Sequence, residues 1–365
     1  MGKKLLMKGN EAIGEAAIVA GCKAYFCYPI TPQTEIAEYL SKRMTDAGGV
    51  FLQGESEIAV SYMLFGAAAG GTKVFSTSSS PGISLMSEGL SYIAAAELPV
   101  VVCNVMRNGP GLGGILPSQC DYLQATKGGG HGDYKNIVLG PATVQEAVDL
   151  MILAFELAEK YRNPVMVVAD GMIGQMMEPV EIPDQDVEPS RYIDGHEAWA
   201  TVGAKGRKQN LIKTLFLDPQ LASDLNDVLA AKYRSIEENE VRYEEIDTDG
   251  EMDLLLVSFG TMSRICKTSM KQLRKKGLKV GMLRPISLYP FPIMPIRKIA
   301  PRANIVVSVE MSMGQMVEDV ERAVLGQTEV RYYGRAGGLV PTPDMVTEAL
   351  MQMAKGSGKK KIKET

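Results

Sequence analysis

The chain has 365 residues, 45% of them hydrophobic, and carries 39 Lys+Arg against 43 Asp+Glu for a formal net charge of −4. This length predicts roughly two or three domains of ordinary globular composition, and the mild acidity argues against nucleic acid as the main partner. With two histidines and five cysteines in no Cys-x-x-Cys pattern, a metal site, an iron–sulfur cluster held by this chain alone and a disulfide framework are not expected.

No segment predicts a membrane span. The longest apolar runs, such as residues 98–102, are far shorter than the roughly 20 residues that cross a bilayer. Near the N-terminus, Lys8 and Gly9 interrupt what would be the apolar stretch of a signal peptide. We therefore expect a cytoplasmic protein without a membrane partner.

The first 180 residues alternate between helical and strand patterns. Helices are predicted at 10–20, 33–44, 57–69, 83–96 and 144–160, and strands at 24–27, 73–76, 99–106 and 164–169. Asn10 is expected to cap the first helix. Continuous apolar strands separated by helices are typical of a parallel sheet covered on both faces. Residues 1–180 are therefore predicted to form a doubly wound α/β domain.

The pattern weakens at residues 181–249, which include a charged helical stretch at 221–242. We interpret this segment as a crossover or linker, with a peripheral helical excursion as the alternative. A second α/β domain is predicted over residues 250–355. Its strands are expected at 253–259, 280–283 and 305–309, with a helix at 262–276. Residues 356–365 are predicted to form a flexible basic tail.

Ligands of doubly wound sheets bind beyond the carboxyl ends of the strands, so the segments that follow the predicted strands are site candidates. The first strand is followed by Tyr28-Pro29-Ile30-Thr31-Pro32. Thr31 suits a helix N-cap and Pro32 the first helical position, and such a helix end is a natural anion site. A purely structural cap is the alternative.

Two later strand ends also carry polar residues. The five hydroxyl residues from Ser76 to Ser80 could hold a ligand, although capping of the turn is the favoured interpretation. Arg107 could hold a carboxylate through two parallel hydrogen bonds, with a surface salt bridge as the alternative. The run Gly109–Gly114 resembles a dinucleotide-binding loop only loosely, because Pro110 removes a backbone donor and no helix clearly follows.

Glu57 is the remaining candidate for chemistry. Glu55 and Glu57 are two residues apart and point to nearly opposite sides of a helix, so only one can face a given site. Glu57 begins a run of small and apolar residues typical of a buried helix. A buried carboxylate needs a partner, which could be a ligand or simply the backbone amides of the helix end. Tyr28, Asn108 and His131 are weaker candidates for an active-site loop.

These motifs carry a family resemblance that runs in order from about residue 6 to 350. Tyr28-Pro29-Ile30-Thr31-Pro32, Glu55-Ser56-Glu57-Ile58-Ala59 and Val105-Met106-Arg107-Asn108-Gly109-Pro110-Gly111 resemble the alpha subunit of 2-oxoacid:ferredoxin oxidoreductases. The segments 284–292 and 309–315 resemble the family's transketolase C-terminal-like domain. The combination is specific, although each motif alone is not.

The resemblance implies a thiamine diphosphate enzyme of several subunits, in which residues 1–180 form the pyrimidine-binding domain. The G-D-G…N motif for Mg²⁺ and diphosphate is absent, since Gly132-Asp133-Tyr134 and Ala169-Asp170-Gly171 both depart from it. The implied partners are therefore a beta subunit that holds Mg²⁺ and the diphosphate, a gamma subunit, and a ferredoxin-like delta subunit. Partner chains would carry the [4Fe–4S] clusters, ferredoxin would accept the electrons, and coenzyme A would be the co-substrate.

The resemblance also implies roles for three residues. Glu57 resembles the glutamate that hydrogen-bonds the aminopyrimidine ring of the cofactor, where proton transfer begins. Thr31 and Arg107 resemble the pair that holds the 2-oxoacid carboxylate. Ser312 departs from the family pattern, in which an asparagine is expected, and this leaves the role of the turn at Glu310 open.

The whole-chain pattern looks most like the branched-chain member that acts on 3-methyl-2-oxobutanoate. The loop at 110–114 offers no second cation for a distal carboxylate, which mildly disfavours 2-oxoglutarate, although a partner could supply one. A non-catalytic nucleotide-binding scaffold that uses Gly109–Gly114 is the alternative from another class.

Overall fold

The computed structural model describes residues 3–184 and 199–356. Its first sheet has seven strands in the order β12-β6-β7-β5-β4-β2-β3, all parallel except β12. These strands are β2 (Ala24–Cys27), β3 (Val50–Gln53), β4 (Val74–Ser78), β5 (Val100–Met106), β6 (Ile137–Leu139), β7 (Val165–Asp170) and β12 (Ser287–Tyr289). A separate antiparallel pair joins β1 (Lys3–Lys8) to β8 (Met177–Ile182).

Helices cover the first sheet on both faces. They are α1 (Gly9–Val19), α2 (Thr34–Asp46), α3 (Glu57–Ala69), α4 (Pro81–Ala95), α5 (Tyr122–Lys127), α6 (Val144–Tyr161) and α7 (Gly171–Gln175). Every residue of β4, β5 and β7 is buried, which requires cover on both sides because successive side chains point to opposite faces. The predicted doubly wound α/β fold is confirmed.

A second, five-stranded sheet forms the C-terminal half, in the order β14-β13-β10-β11-β9. Its strands are β9 (Tyr243–Ile246), β10 (Met252–Val257), β11 (Val280–Pro285), β13 (Ala303–Glu310) and β14 (Glu329–Gly334), with only β9 antiparallel to its neighbour. The helices that follow α7 are α8 (Pro219–Asn239), α9 (Gly260–Lys275), α10 (Ile293–Ile299), α11 (Met316–Val324) and α12 (Pro343–Lys355).

The two halves interlock instead of meeting at a simple linker. Strand β9 lies within the predicted linker at 181–249 yet pairs with β11 of the second sheet, and β12 leaves the second half to pair with β6 of the first. Helix α8 packs Leu229, Tyr233 and Ile236 into the first core, so the chain crosses between the halves after it. Residues 185–198 of that segment, and the predicted tail beyond 356, lie outside the described residues.

Arg284 ties the halves together at this crossing. Its side chain is 3% exposed, and it donates from Nη2 to Glu146 of α6 at 2.6 Å and from Nε to Glu244 of β9 at 2.7 Å. Because a buried guanidinium needs carboxylate partners to offset its lost hydration, these bonds fix the second half against the first.

Across residues 3–184 and 199–356, the helices are all too short or too polar to span a membrane.

Candidate active site

Three of the predicted site segments lie at the carboxyl ends of neighbouring parallel strands, β2, β4 and β5. The loop at 28–33 follows β2, Ser79 and Ser80 lead from β4 into α4, and Arg107 directly follows β5. The carboxyl ends of parallel strands meet at one edge of a sheet. The topology therefore brings these three segments together.

Arg107 is a buried cation without a carboxylate partner. Its residue is 7% exposed, and its guanidinium donates from Nη1 to the Thr31 carbonyl at 2.9 Å and from Nη2 to the Leu112 carbonyl at 3.0 Å. Its Nε is buried and unpaired, and no acid in the described ranges forms an ion pair with it. Backbone carbonyls thus orient a charge that is left to bind an anion.

Thr31 contacts this cation through its backbone, and the predicted N-cap role of Thr31 is wrong. Helix α2 begins only at Thr34, with Gln33 at the cap position and no side-chain cap bond. The Thr31 carbonyl is turned toward Arg107 instead, while the rest of the residue is exposed. Any anion binding by Thr31 therefore depends on its proximity to Arg107 and not on a helix end.

Asn10 holds the same loop, and the prediction that it caps α1 is also wrong. Helix α1 begins one residue earlier, at Gly9. The Asn10 amide donates to the Pro32 carbonyl at 2.8 Å and to the Glu35 carboxylate at 2.7 Å. The Asn10 amide therefore supplies the hydrogen bond that the buried Pro32 carbonyl needs inside the protein.

Glu57 is buried at the start of α3, with 4% exposed, whereas Glu55 is exposed. The backbone amides of the helix end do not satisfy it. The Ser56 hydroxyl accepts from the Ala59 N–H at 3.2 Å, and among the residues that the structure describes none donates a hydrogen bond to the Glu57 carboxylate. The carboxylate is a buried acceptor that needs a donor from outside this part of the chain.

Gly82, in the first turn of α4, lies directly against this carboxylate. A Cβ at position 82 would overlap both the Glu57 Oε1 and the Ser78 Oγ. The hydroxyls of Ser76, Ser78 and Ser79 are buried and unpaired. An unpaired carboxylate packed against a glycine, with unpaired hydroxyls nearby, fits the polar edge of the aminopyrimidine ring that the family resemblance implies.

The sequence did not predict a buried hydrogen-bond network that lies next to Arg107. Ser80, which precedes α4, accepts from the Arg107 N–H at 3.0 Å and donates to Asp121 Oδ2 at 2.5 Å. Asn104 donates to the same Asp121 oxygen at 2.9 Å and accepts from the Ser80 N–H at 3.0 Å. Burial raises the pKa of Asp121, and the hydrogen bonds from Ser80 and Asn104 oppose that rise. A polar Asn104 inside an apolar strand was the one signal available in the sequence.

The three weaker candidates have different positions. Tyr28 is 36% exposed beside the Thr31 loop. Asn108 closes the loop at 109–115, because its N–H donates to the Leu116 carbonyl at 3.0 Å and its Oδ1 accepts from the Leu116 N–H at 3.1 Å. His131 is exposed, with Nδ1 3.4 Å from Ser91 Oγ. At 1.5 Å per residue, Ser91 lies about 15 Å along α4 from the end that faces Arg107, so His131 is not brought to the cluster.

Asp170, in the sequence that departs from the G-D-G motif, is fully engaged inside the protein. Its carboxylate accepts from the N–H groups of Met172 and Ile173 at 3.2 Å each, from the Thr261 N–H at 2.9 Å and from the Thr261 hydroxyl at 2.6 Å. Burial raises the pKa of this carboxyl. Asp170 therefore joins the two halves of the chain and starts α7.

Comparison with protein families matches two profiles. Residues 15–225 match the family described as pyruvate flavodoxin/ferredoxin oxidoreductase, thiamine diphosphate-binding. Residues 252–346 match pyruvate:ferredoxin oxidoreductase core domain II. Similar proteins include the ketoisovalerate oxidoreductase subunit VorB of Methanothermobacter marburgensis, at 47% identity over 91% of this chain and 93% of that protein. The 2-oxoglutarate synthase subunit KorA of Archaeoglobus fulgidus is 38% identical over 90% and 94% respectively.

Solved structures give the same result for the fold. The 2-oxoglutarate:ferredoxin oxidoreductase from Magnetococcus marinus, solved with 2-oxoglutarate, coenzyme A and succinyl-CoA bound, superposes with a TM-score of 0.84 at 26% identity. The match covers 96% of this chain but only 65% of that longer chain. A split-gene transketolase in an inactive β4 tetramer, at 14% identity and a TM-score of 0.58, shares the fold alone.

Proposed function

This chain belongs to the pyruvate flavodoxin/ferredoxin oxidoreductase family, and from that membership we propose that it holds the substrate carboxylate and the pyrimidine ring of thiamine diphosphate in a 2-oxoacid:ferredoxin oxidoreductase. One observation carries the proposal. Arg107 and Glu57 are both buried and carry opposite charges: the Arg107 backbone bonds Ser80 just before α4, and the Glu57 carboxylate lies against Gly82 in the first turn of that helix, while neither side chain has a charged partner within residues 3–184 and 199–356. One needs an anion and the other needs an N–H donor.

The proposed reaction is the oxidative decarboxylation of 3-methyl-2-oxobutanoate. The acid and coenzyme A give isobutanoyl-CoA and CO₂, and the two electrons released reduce two ferredoxins. The name of the Methanothermobacter relative supports this substrate.

Arg107, Thr31 and Glu57 have separate roles in this proposal. Thiamine diphosphate, when bound, supplies the chemistry that cleaves the bond between a keto carbon and a carboxylate. Arg107 binds that carboxylate, and the exposed Thr31 beside it contributes its hydroxyl. Glu57 would hold a proton shared between its carboxylate and a nitrogen of the pyrimidine ring when the cofactor is bound. The buried surroundings exclude water from this proton and strengthen the hydrogen bond.

Partner subunits complete the site in this proposal. The Asp170 carboxylate already accepts four hydrogen bonds, so Mg²⁺ and the diphosphate are assigned to a beta subunit. Ile58 and Tyr62 follow Glu57 on α3 and are 46% and 41% exposed, an apolar surface beside the site that a partner chain would cover. The [4Fe–4S] clusters are assigned to a ferredoxin-like delta subunit, with a gamma subunit as the remaining partner.

The test uses the complex reconstituted with its partner chains. Glu57→Gln is expected to leave assembly intact and to lower turnover roughly 10²–10⁴-fold, the usual contribution of a proton-transferring side chain. Glu55→Gln is the matched control, since it removes an equal charge two residues away on the exposed side, and it should retain normal turnover. Near-normal turnover of the Glu57 variant would contradict the assignment.

Two comparisons separate the alternatives. Turnover of 3-methyl-2-oxobutanoate is expected to exceed that of 2-oxoglutarate, and the reverse order would assign the chain to the 2-oxoglutarate enzymes. Titration of the chain with NAD or ATP is expected to show no binding. Tight binding of either nucleotide would favour the scaffold interpretation.

A further inference from the structure

The backbone of Arg107 is held in place by a buried carboxylate. Its N–H donates to the Ser80 hydroxyl at 3.0 Å, and that hydroxyl, which has one proton, donates it to Asp121 Oδ2 at 2.5 Å, its shortest bond. Asn104 bonds both ends of this link, the Ser80 N–H and the same Asp121 oxygen. The orientation of the Ser80 hydroxyl, and therefore its ability to accept from Arg107, depends on Asp121.

Asp121 is connected through the Ser80 hydroxyl to the backbone N–H of Arg107, but it does not bond the guanidinium among the described residues. The two side chains attract each other electrostatically, yet no ion pair forms between them among the described residues. A direct ion pair would occupy the guanidinium and compete with an anionic ligand. The carboxylate therefore stabilises the position of the cation without occupying its buried Nε, which has no partner in the described chain.

We propose that Asp121 and Ser80 are positioning residues that set the geometry with which Arg107 meets the carboxylate of the 2-oxoacid. The proposal rests on the function proposed above for Arg107. Neither residue needs to touch the reacting atoms. Their role is to fix the strand end from which the guanidinium extends, and small displacements of a binding group reduce affinity strongly.

The hydrogen-bond pattern predicts that Asp121 acts through its acceptor oxygen at the Oδ2 position and not through its negative charge. Both Ser80 and Asn104 donate to one oxygen, Oδ2. An asparagine at position 121 can place its amide oxygen there and accept both bonds, whereas an alanine can accept neither. Asp121→Asn should therefore rescue the defect of Asp121→Ala.

The experiment measures KM for the 2-oxoacid and kcat in the reconstituted complex. Ser80→Ala and Asp121→Ala are each expected to raise that KM about tenfold with kcat within about threefold, the signature of lost substrate binding. Asp121→Asn should return KM to within about threefold of wild type. Ser87→Ala is the matched control, because its hydroxyl is as buried as that of Ser80 and lies about two turns further along α4, where it bonds the Ile83 carbonyl. It should leave KM unchanged.

Three results would overturn the proposal. These are an unchanged KM in Ser80→Ala and Asp121→Ala, an equal KM in Asp121→Asn and Asp121→Ala, or a drop in thermal stability as the sole effect of the alanine variants. Should Ser80→Ala fail to fold, the two Asp121 variants give the same comparison. The variant Arg107→Leu tests separately the proposed function on which this inference rests, the binding of the substrate carboxylate by Arg107. If Arg107→Leu leaves KM unchanged, the function assigned to Arg107 fails. If it raises KM while the other variants do not, only the positioning role fails.

Discussion

The turn at Glu310 allows a specific prediction of stability, because its carboxylate accepts five hydrogen bonds. The Glu310 carboxylate ends β13 and accepts hydrogen bonds from the N–H groups of Gln315, Met316 and Val317 at 2.9 Å each, which are the first donors of α11. It also accepts from the hydroxyls of Ser308 and Ser312 at 2.7 and 2.8 Å. Ser312, where the family resemblance led us to expect asparagine, thus acts as a donor to this carboxylate.

Glu310→Gln should destabilise the chain by about 1–4 kcal/mol. Three donors meet at Oε2 and two at Oε1, so a glutamine oxygen can replace only one of these positions. With its oxygen at the Oε2 position, its NH₂ group faces the Val317 N–H, and one half-buried backbone donor loses its acceptor at a cost of about 1–3 kcal/mol. Removing a negative charge from the N-terminus of α11 costs about 0.3–1 kcal/mol more.

Urea unfolding followed by circular dichroism measures this change in the free energy of unfolding. Glu318→Gln is the control, because it removes the same charge from the first turn of the same helix at an exposed position. It should cost only about 0.3–1 kcal/mol. Equal shifts in the two variants would refute the reasoning, since they would mean that the buried hydrogen bonds of Glu310 contribute nothing beyond its charge.

Three further predictions concern other buried groups. Gly82→Ala should lower kcat/KM at least about tenfold with the fold retained, because its methyl group would displace the Glu57 carboxylate; steady-state kinetics beside circular dichroism would check this. Arg284→Met should cost about 3 kcal/mol in urea unfolding, because it leaves Glu146 without its cation and Glu244 with Lys267 alone, and a loss below about 1 kcal/mol would contradict the tie between the two halves. The pKa of Asp121 is raised in the folded chain. Its protonation therefore stabilises the fold at low pH, and wild type should lose stability relative to Asp121→Asn as pH rises from about 4 through the raised pKa. Urea unfolding of both across that range would test the sign, and a difference that does not change with pH would contradict it.

The sequence predicted the parts of the fold that depend on local pattern. Strands β2, β5 and β7 are mostly apolar runs, β4 begins with the apolar pair Val74-Phe75, and together they form the buried centre of the first sheet. Strand β3 escaped prediction because it lies at the sheet edge with mostly exposed residues. Strand β12 has three residues and pairs with β6, about 150 positions earlier in the chain, so no local pattern could indicate its partner.

The same distinction applies to the site. Arg107 and Glu57 could be proposed from the sequence because residue type and position at a strand end or helix start are local properties. The cap predicted for Thr31 was wrong because a distant side chain, that of Arg107, takes its carbonyl. The link from Ser80 to Asp121 spans 41 positions, and a serine-rich turn gives no sign of such a contact.

Arg107 and Glu57 carry opposite charges, and the fold keeps them apart. An ion pair between them would satisfy both while removing the capacity to bind a ligand. The chain instead holds Arg107 by two carbonyls and places Asp121 out of contact with it. Two buried polar groups therefore remain unsatisfied, at a cost to stability that a bound ligand would offset. It follows that oxoacid and cofactor should raise the thermal stability of the assembled complex, and that Glu57→Gln should weaken this effect for the cofactor and Arg107→Leu for the oxoacid.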